Sequence, residues 1–388
     1  MRTPNEMSAL KAHFQKFLQA EPSRLHFAAH SHHPWPDVTE AAHAQAWKDA
    51  VQYADEKWDV VFDEVWPEAQ HHVASELGLP DAGTLTFAPN THAFVLRLLS
   101  CLGPRPRVLT TDAEFHSFER QLCRLEEAGA VEAVRVPAEP FESFPERLLE
   151  AARRSTFDLV FFSQVFFNSG AVVRDLAGLV GALPEGPLVA VDGYHGFLAV
   201  PTDLSPVHAR TFYLGGGYKY AMAGENACFL HVPPGAPARP VDTGWFAAFG
   251  ALDAPRGGKV AYGPGGIRFA GATFDPSGLY RLNAVMRWRA SVELTTERSL
   301  AHAHALQGRF LAQLGGTALE KVPLVVPGAA ARGHYLTFRT ERAREWSAAL
   351  REARVITDAR EDRLRFGFGV YQDAADVDAL VQRLSALG

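Results

Sequence analysis

Between Thr84 and Val232 the chain repeats one pattern: a short apolar run followed by a polar or helix-length amphipathic stretch. The runs are "TLTFA", "RVLTT", "VEAVRV", "DLVFFSQ", "PLVAVD", "TFYLG" and "ACFLHV". Apolar strands alternating with helices predict a mostly parallel sheet covered on both faces. The fold class is therefore α/β, with a mostly parallel seven-stranded sheet between helices. In open sheets of this kind, ligands gather beyond the carboxyl ends of the strands, so polar residues just after the apolar runs are the first to inspect.

The flanks read differently. Met7, Leu10, Phe14, Phe17 and Leu18 recur at helical spacing, and "EPSRLHFAAHSHHPWP" then breaks the pattern with three prolines and reads as a loop. Val38 to Leu77 reads as helical, with a break at the "WP" of Trp66. After the last strand come two loops, "VPPGAPARPVDTGWF" and "APRGGKVAYGPGG". A long proline-free helical pattern runs from Pro276 to about Leu314. Beyond it, "HYLTFRT", "ARVIT" and "RLRFGFGV" are strand-like and interleave with two helical segments. The division expected is an N-terminal segment (1–50) contributing to the small domain and a pocket loop, a large domain (51–275) and a small α+β domain (276–388). There are no internal repeats.

Composition narrows the class. Of 388 residues, 47% are hydrophobic and 21% charged, which is ordinary for a globular chain. A net charge of −6 gives no basic footprint for nucleic acid or an anionic membrane. No apolar run is long enough to span a bilayer, and the first twenty residues lack a secretory h-region. Cys101, Cys123 and Cys228 are too few and too scattered for a disulfide framework or a CxxC metal site; they read as buried small hydrophobes in a reducing, cytoplasmic compartment.

Three signals sit at expected strand ends. "VAVDGYHGF" delivers Asp192 and His195. "FYLGGGYKYAMAGENACFLHVP" delivers Tyr218 and Lys219 after a glycine run. "LTFAPNTHAFVLRLL" places Asn90 and Thr91 at a helix start, where free N–H groups and the helix dipole favour a phosphate. Singly, each has an ordinary structural reading, such as a solvated loop lysine or a strand-end aspartate. In this order they are the parts a pyridoxal phosphate enzyme needs: an amine to form the Schiff base, a carboxylate for the pyridine nitrogen and a helix N-terminus for the phosphate.

The stretch "DGYH" followed by "GGYKYAMAGENACFLHVP" resembles the class-V aminotransferase superfamily of fold-type I pyridoxal phosphate enzymes, and its kynureninase branch in particular. The resemblance runs from about Phe27 to Tyr371. It implies pyridoxal 5'-phosphate as cofactor, Lys219 as the Schiff-base lysine, Asp192 on the pyridine nitrogen and His195 beside the ring. It implies Tyr218 as a phosphate contact that assists proton transfer, Asn90 and Thr91 in the phosphate turn and Phe115 as the ring-stacking aromatic. Trp245 and Thr273 would reach the cofactor of a neighbouring subunit, making a homodimer with shared sites. Arg365 in "RLRFGFGVYQD" would grip the substrate α-carboxylate, for which a guanidinium fork is well shaped. The plain alternatives are hydrophobic packing for Phe115 and Trp245, a turn hydroxyl for Thr273 and a salt bridge for Arg365.

Within that family, kynureninase-like hydrolysis of the Cβ–Cγ bond of kynurenine or 3-hydroxykynurenine is the expected reaction. An aminotransferase, racemase or other lyase of the class is the alternative. Cysteine desulfuration is disfavoured, because no cysteine lies between Gly328 and Arg365. Where kynureninases have a "GNSLG"-like loop, this chain reads "AAHSHHP", which puts His30, Ser31 and His32 forward as substrate contacts. A metal site built on His30, His32 and His33 is the rival reading. Its proline-broken spacing is unlike the i, i+4 pattern of helical metal sites, and no metal is expected. A non-catalytic binding scaffold would have no need of both Lys219 and Asp192.

Overall fold

The computed structural model describes residues 7, 9–251 and 258–387. Residues 254–257 of the second glycine-rich loop lie outside the described residues. The strands are β1 (Leu25–His26), β2 (Leu85–Ala88), β3 (Arg107–Thr111), β4 (Glu132–Val136), β5 (Leu159–Ser163), β6 (Leu188–Asp192), β7 (Thr211–Gly215), β8 (Cys228–His231), β9 (Tyr335–Arg339), β10 (Val355–Ile356), β11 (Asp358–Arg360) and β12 (Arg363–Gly367). Each of the seven apolar runs forms one strand of a single sheet, ordered β2-β8-β7-β6-β5-β3-β4. Strands β5, β7 and β8 are buried along their whole length, which is why they read as unbroken apolar runs.

The direction of the strands positions the site. Strands β4, β3, β5, β6 and β7 run parallel to one another, and β8 is antiparallel to β7. Strand β2 is antiparallel to β8 and so points the same way as β7. The carboxyl ends of β2, β3, β5, β6 and β7 therefore open on one edge. The helix Thr91–Ser100 starts at that edge, with Asn90 in extended conformation as its N-cap, the side chain accepting the Ala93 N–H at 2.9 Å.

The flanks depart from the sequence-based expectations in several places. The N-terminal helical stretch is a 3₁₀ turn, Ala9–Phe14, leading into a short α-helix, Gln15–Ala20. The proline-broken loop contains β1, which pairs in parallel with β10. The helix from Val38 ends at Tyr53, where Ala54 takes a φ of 48°. A π-helical turn, Val61–Val65, then feeds the helix Trp66–Glu76. The break thus precedes Trp66, because Pro67 sits in the first turn, where its missing N–H costs nothing. The long pattern after Pro276 is two helices, Ser277–Ser291 and Thr296–Ala312, the second capped by Thr295. Cys228 is buried, but Cys101 is half-buried and Cys123 is exposed on the polar face of the helix His116–Glu127, where its thiol donates to Glu119 at 3.2 Å.

Strands β11, β12 and β9 form a separate antiparallel sheet backed by the helices Thr296–Ala312, Ala343–Glu352 and Ala374–Arg383. Its core packs Phe27, Phe310, Phe338, Phe366 and Phe368, with the Phe310 ring 5.2 Å from Phe366. The helix Ser277–Ser291 packs instead against Val38–Tyr53 and gives its apolar side chains to the larger core. No helix among the described residues is long and apolar enough to cross a membrane. Phe310 is fully buried at the centre of the smaller core, so Phe310→Ala is expected to lower the unfolding free energy by about 3–5 kcal/mol. Urea denaturation followed by circular dichroism measures this, and a loss below about 1 kcal/mol would mean that the phenylalanine cluster closes over the gap.

Candidate active site

The carboxyl edge of the large sheet carries a narrow cleft lined by Thr91, Phe115, Ser163, Asp192, His195, Tyr218 and Lys219, with Val165, Phe167 and Tyr194 completing the wall. Each lining residue follows from the strand directions. Thr91 opens the helix after β2, Phe115 sits at the N-cap of the helix after β3, and Ser163 ends β5. Asp192 ends β6, and Lys219 is four residues past β7.

Lys219 is buried, and its Nζ donates to the His30 carbonyl at 3.2 Å. Burial, together with the nearby Arg365 charge, pulls the amine down to about 7, so a large share of it is neutral and nucleophilic at ordinary pH. The same burial pushes Asp192 up to about 6, while Lys219 works against that shift; Asp192 Oδ1 accepts the Tyr194 N–H at 2.8 Å. His195 is held neutral by burial and by Lys219 and Arg365, and its Nδ1 has no partner. Tyr218 is pushed up to about 12, mainly by burial, which keeps its hydroxyl protonated.

Arg365 approaches from the smaller sheet. It is buried, its Nη2 donates to Asp358 and its Nη1 to the Phe167 carbonyl. Phe167 also lines the cleft, so the guanidinium lies just behind the cleft wall. Tyr335 of β9 ties the two sheets together by donating to the Phe166 carbonyl at 2.8 Å.

The three clustered histidines part company. His30 is fully buried, stacked on Tyr335 with ring centroids 4.5 Å apart, and neither ring nitrogen has a partner. Its place against β12 depends on Gly367, where a Cβ would come within 2.3 Å of His30 Nδ1. His32 is exposed and stacks on Tyr218 at 4.8 Å. His33 turns inward, its Nδ1 donating to the Pro34 carbonyl, and its backbone N–H donates to the Tyr218 carbonyl at 3.1 Å. Ser31 lies between them in a turn closed by its own N–H onto the Ala28 carbonyl. Their divergence leaves no shared point for a metal, and among the described residues no group of three or more potential ligands converges.

Trp245 and Thr273 meet each other, the indole N–H donating to the threonine hydroxyl at 2.8 Å, but neither lines the cleft of the same chain. Trp245 is 40% exposed. Asn90 acts as the N-cap described above, at the sheet edge where the helix begins.

Several site residues were not singled out from the sequence. Ser163 was legible as the last residue of a strand. Glu114 stands beside Phe115 and is wholly buried, accepting from Thr111 Oγ1, Ser163 N and Ser163 Oγ; burial pushes it up to about 8, so it holds a proton. Tyr194, Phe167, Tyr335 and Asp358 are brought in by the tertiary fold.

Residues 299–384 match the Kynureninase C-terminal domain family. No curated protein matches the chain. Among solved structures, a C-DES variant with glycine covalently linked to its PLP cofactor is similar, with TM-score 0.80 and 18% identity over 97% of this chain and 98% of that one. The cysteine desulfurase of Thermococcus onnurineus NA1 gives 0.77 and 18% over 100% and 98%. The cysteine desulfurase CsdA of Escherichia coli gives 0.76 and 17% over 100% and 99%. The fold is the fold-type I, pyridoxal phosphate-dependent transferase-like fold. Within it, residues 299–384 are similar to the kynureninase C-terminal domain, and the similar C-DES structure carries PLP as its cofactor. The cleft fits that group: a buried amine, a strand-end carboxylate, an aromatic ring, an orphaned imidazole nitrogen and a helix N-terminus all converge on it.

Proposed function

We propose that the chain is a pyridoxal phosphate-dependent enzyme acting on an amino acid, and that its reaction is kynureninase-like hydrolysis of the Cβ–Cγ bond of kynurenine or 3-hydroxykynurenine. The observation that carries the reading is the convergence of Lys219, Asp192, His195, Phe115 and Tyr218 in one cleft, with Arg365 behind it. When bound, the cofactor supplies an electron sink for a pair released at the substrate Cα.

The chain's residues supply the rest. Lys219 would hold the cofactor, and its amine could move protons at Cα and Cβ of the substrate. A neutral amine suits both tasks. Asp192 would hold the proton on the ring nitrogen, Phe115 would stack on the ring and His195 would lie beside it. Asn90 and Thr91 present N–H groups to the phosphate. Tyr218, protonated at neutral pH, donates to the substrate carbonyl or to Cβ. Arg365 would grip the α-carboxylate and so fix the orientation of the substrate in the cleft. His30, Ser31 and His32 flank the approach and set which side chain is admitted. Trp245 and Thr273, exposed and joined to each other, reach the site of a second subunit in a homodimer. Free cysteines suit a cytoplasmic enzyme.

The matched C-terminal domain favours the kynurenine reading over sulfur transfer. So does the state of the one cysteine next to the cleft. Cys228 hydrogen-bonds with Tyr194, and burial pushes its thiol up to about 11, which makes it a poor nucleophile. A second reading, a C–S lyase acting on a sulfur amino acid, draws on a further similar structure, the cystine C–S lyase C-DES with cysteine persulfide (TM-score 0.79, 18% identity). Purified enzyme is expected to release alanine and an aromatic acid from kynurenine or 3-hydroxykynurenine. Release of pyruvate and persulfide from cystine with none from the kynurenines would replace the first reading by the second. In either reaction Asp192→Asn is expected to lower kcat on the order of 10²-fold or more while the cofactor stays bound, as judged by its visible absorption.

A further inference from the structure

Arg365 already has an anion. The β11–β12 register sets Asp358 directly across from Arg365, and the carboxylate Oδ2 pairs with the guanidinium Nη2. The pairing is incomplete, because the buried Arg365 Nε has no partner. The other oxygen, Asp358 Oδ1, lies 3.6 Å from Nη1 of Arg360, a side chain about half exposed on the groove outside the cleft. The ring of His30, with both nitrogens unpartnered, brings Nε2 to 3.8 Å from Asp358 Oδ2. Asp358 therefore stands between a buried cation on one side and an exposed cation on the other.

We propose that Asp358 is a built-in rival of the substrate carboxylate: it occupies Arg365 in the empty site and passes to Arg360 when a ligand carboxylate takes its place. The proposal rests on the reading of Arg365 as the carboxylate grip. Stripping a buried guanidinium of its paired carboxylate is costly, so any ligand entering must replace one carboxylate by another. A molecule without a carboxylate leaves Asp358 in place and is refused, so the device selects by exclusion as much as by attraction. It also weakens the carboxylates it admits, because each gains on Arg365 only what Asp358 gives up. The free Nε and the His30 Nε2, in the tautomer that carries hydrogen there, are two donors that an incoming carboxylate can use and that Asp358 does not.

The test uses the cofactor-loaded enzyme and propionate, which has the carboxylate of an amino acid but no amino group and cannot react. Binding is followed by calorimetry and by the shift in thermal midpoint. Asp358→Asn is expected to bind propionate at least fivefold more tightly than wild type and to gain a larger thermal shift from it. Arg360→Gln, at an exposed position, is expected to bind it at least threefold more weakly. Equal or weaker binding in Asp358→Asn would overturn the proposal and make Asp358 a brace for Arg365. Unchanged affinity in Arg360→Gln would do so independently, even if Asp358→Asn failed to fold. Propionate binding that survives unchanged in Arg365→Gln would instead remove the reading of Arg365 itself.

Discussion

Lys219→Ala is expected to abolish the borohydride-fixed attachment of the cofactor and to lower turnover on the order of 10³-fold or more, the scale of losing a positioned proton-transfer group. Mass spectrometry of the borohydride-treated protein reads the first, and alanine release from the preferred substrate reads the second. The variant leaves the helix start at Thr91 and the Asp192 carboxylate untouched, so cofactor still binds, but reversibly. In the wild-type chain the same amine sets a pH dependence. Its pKa is lowered to about 7, so the reactive neutral form grows about tenfold per unit as pH rises towards 7 and levels off above it. The rate at which the cofactor-free protein takes up pyridoxal phosphate should follow that curve. A rate still climbing steeply between pH 8 and 10 would mean an amine near its ordinary value and a more open site.

Arg365→Gln is expected to reduce kcat/KM for the amino-acid substrate by about 2–4 kcal/mol, roughly 30- to 1,000-fold, mostly through KM. The same change should destabilise the fold by less than the roughly 3–5 kcal/mol of a broken buried pair, because Asp358 Oδ1 already lies 3.6 Å from Arg360 and can pass to it. The double variant Arg365→Gln/Asp358→Asn separates the two effects. Stability should largely return, since no charge is left unpaired, while kcat/KM stays low, since nothing replaces the fork. Recovery of both together would assign Arg365 to structure alone.

Much of the frame was legible in the residues. The seven apolar runs are the seven strands of the large sheet, because strands buried on both faces must be apolar along their length. Lys219, Asp192 and Thr91 could be placed together because strands of one direction deliver their ends to one edge, while Phe115 was implied only by the family resemblance. Asp358 was within reach but not drawn out: with Glu361 and Asp362 as a two-residue turn, counting outward pairs Arg360 with Arg363 and Asp358 with Arg365. Tyr335, Phe167 and the buried state of His30 were not legible, since they follow from docking one sheet on the loop after another. The helix ends near Tyr53 and Val292 were missed for a simpler reason. Neither Ala54 nor Glu293 is a glycine or proline, yet both adopt positive φ, a conformation that local sequence does not announce for such residues.

The pairing of β1 with β10 has a consequence for the order in which this protein can be made. Leu25 finds its partner, Val355, 330 residues later, and Phe27 enters a core otherwise built from residues beyond Ala303. At roughly 5–20 residues per second, a ribosome needs tens of seconds to supply that partner. During that interval the large sheet can assemble, while the segment carrying His30 waits with its apolar side chains uncovered. The carbonyl that receives Lys219 therefore takes its place only after Val355 has been made, so Lys219 is seated only once that late strand is available.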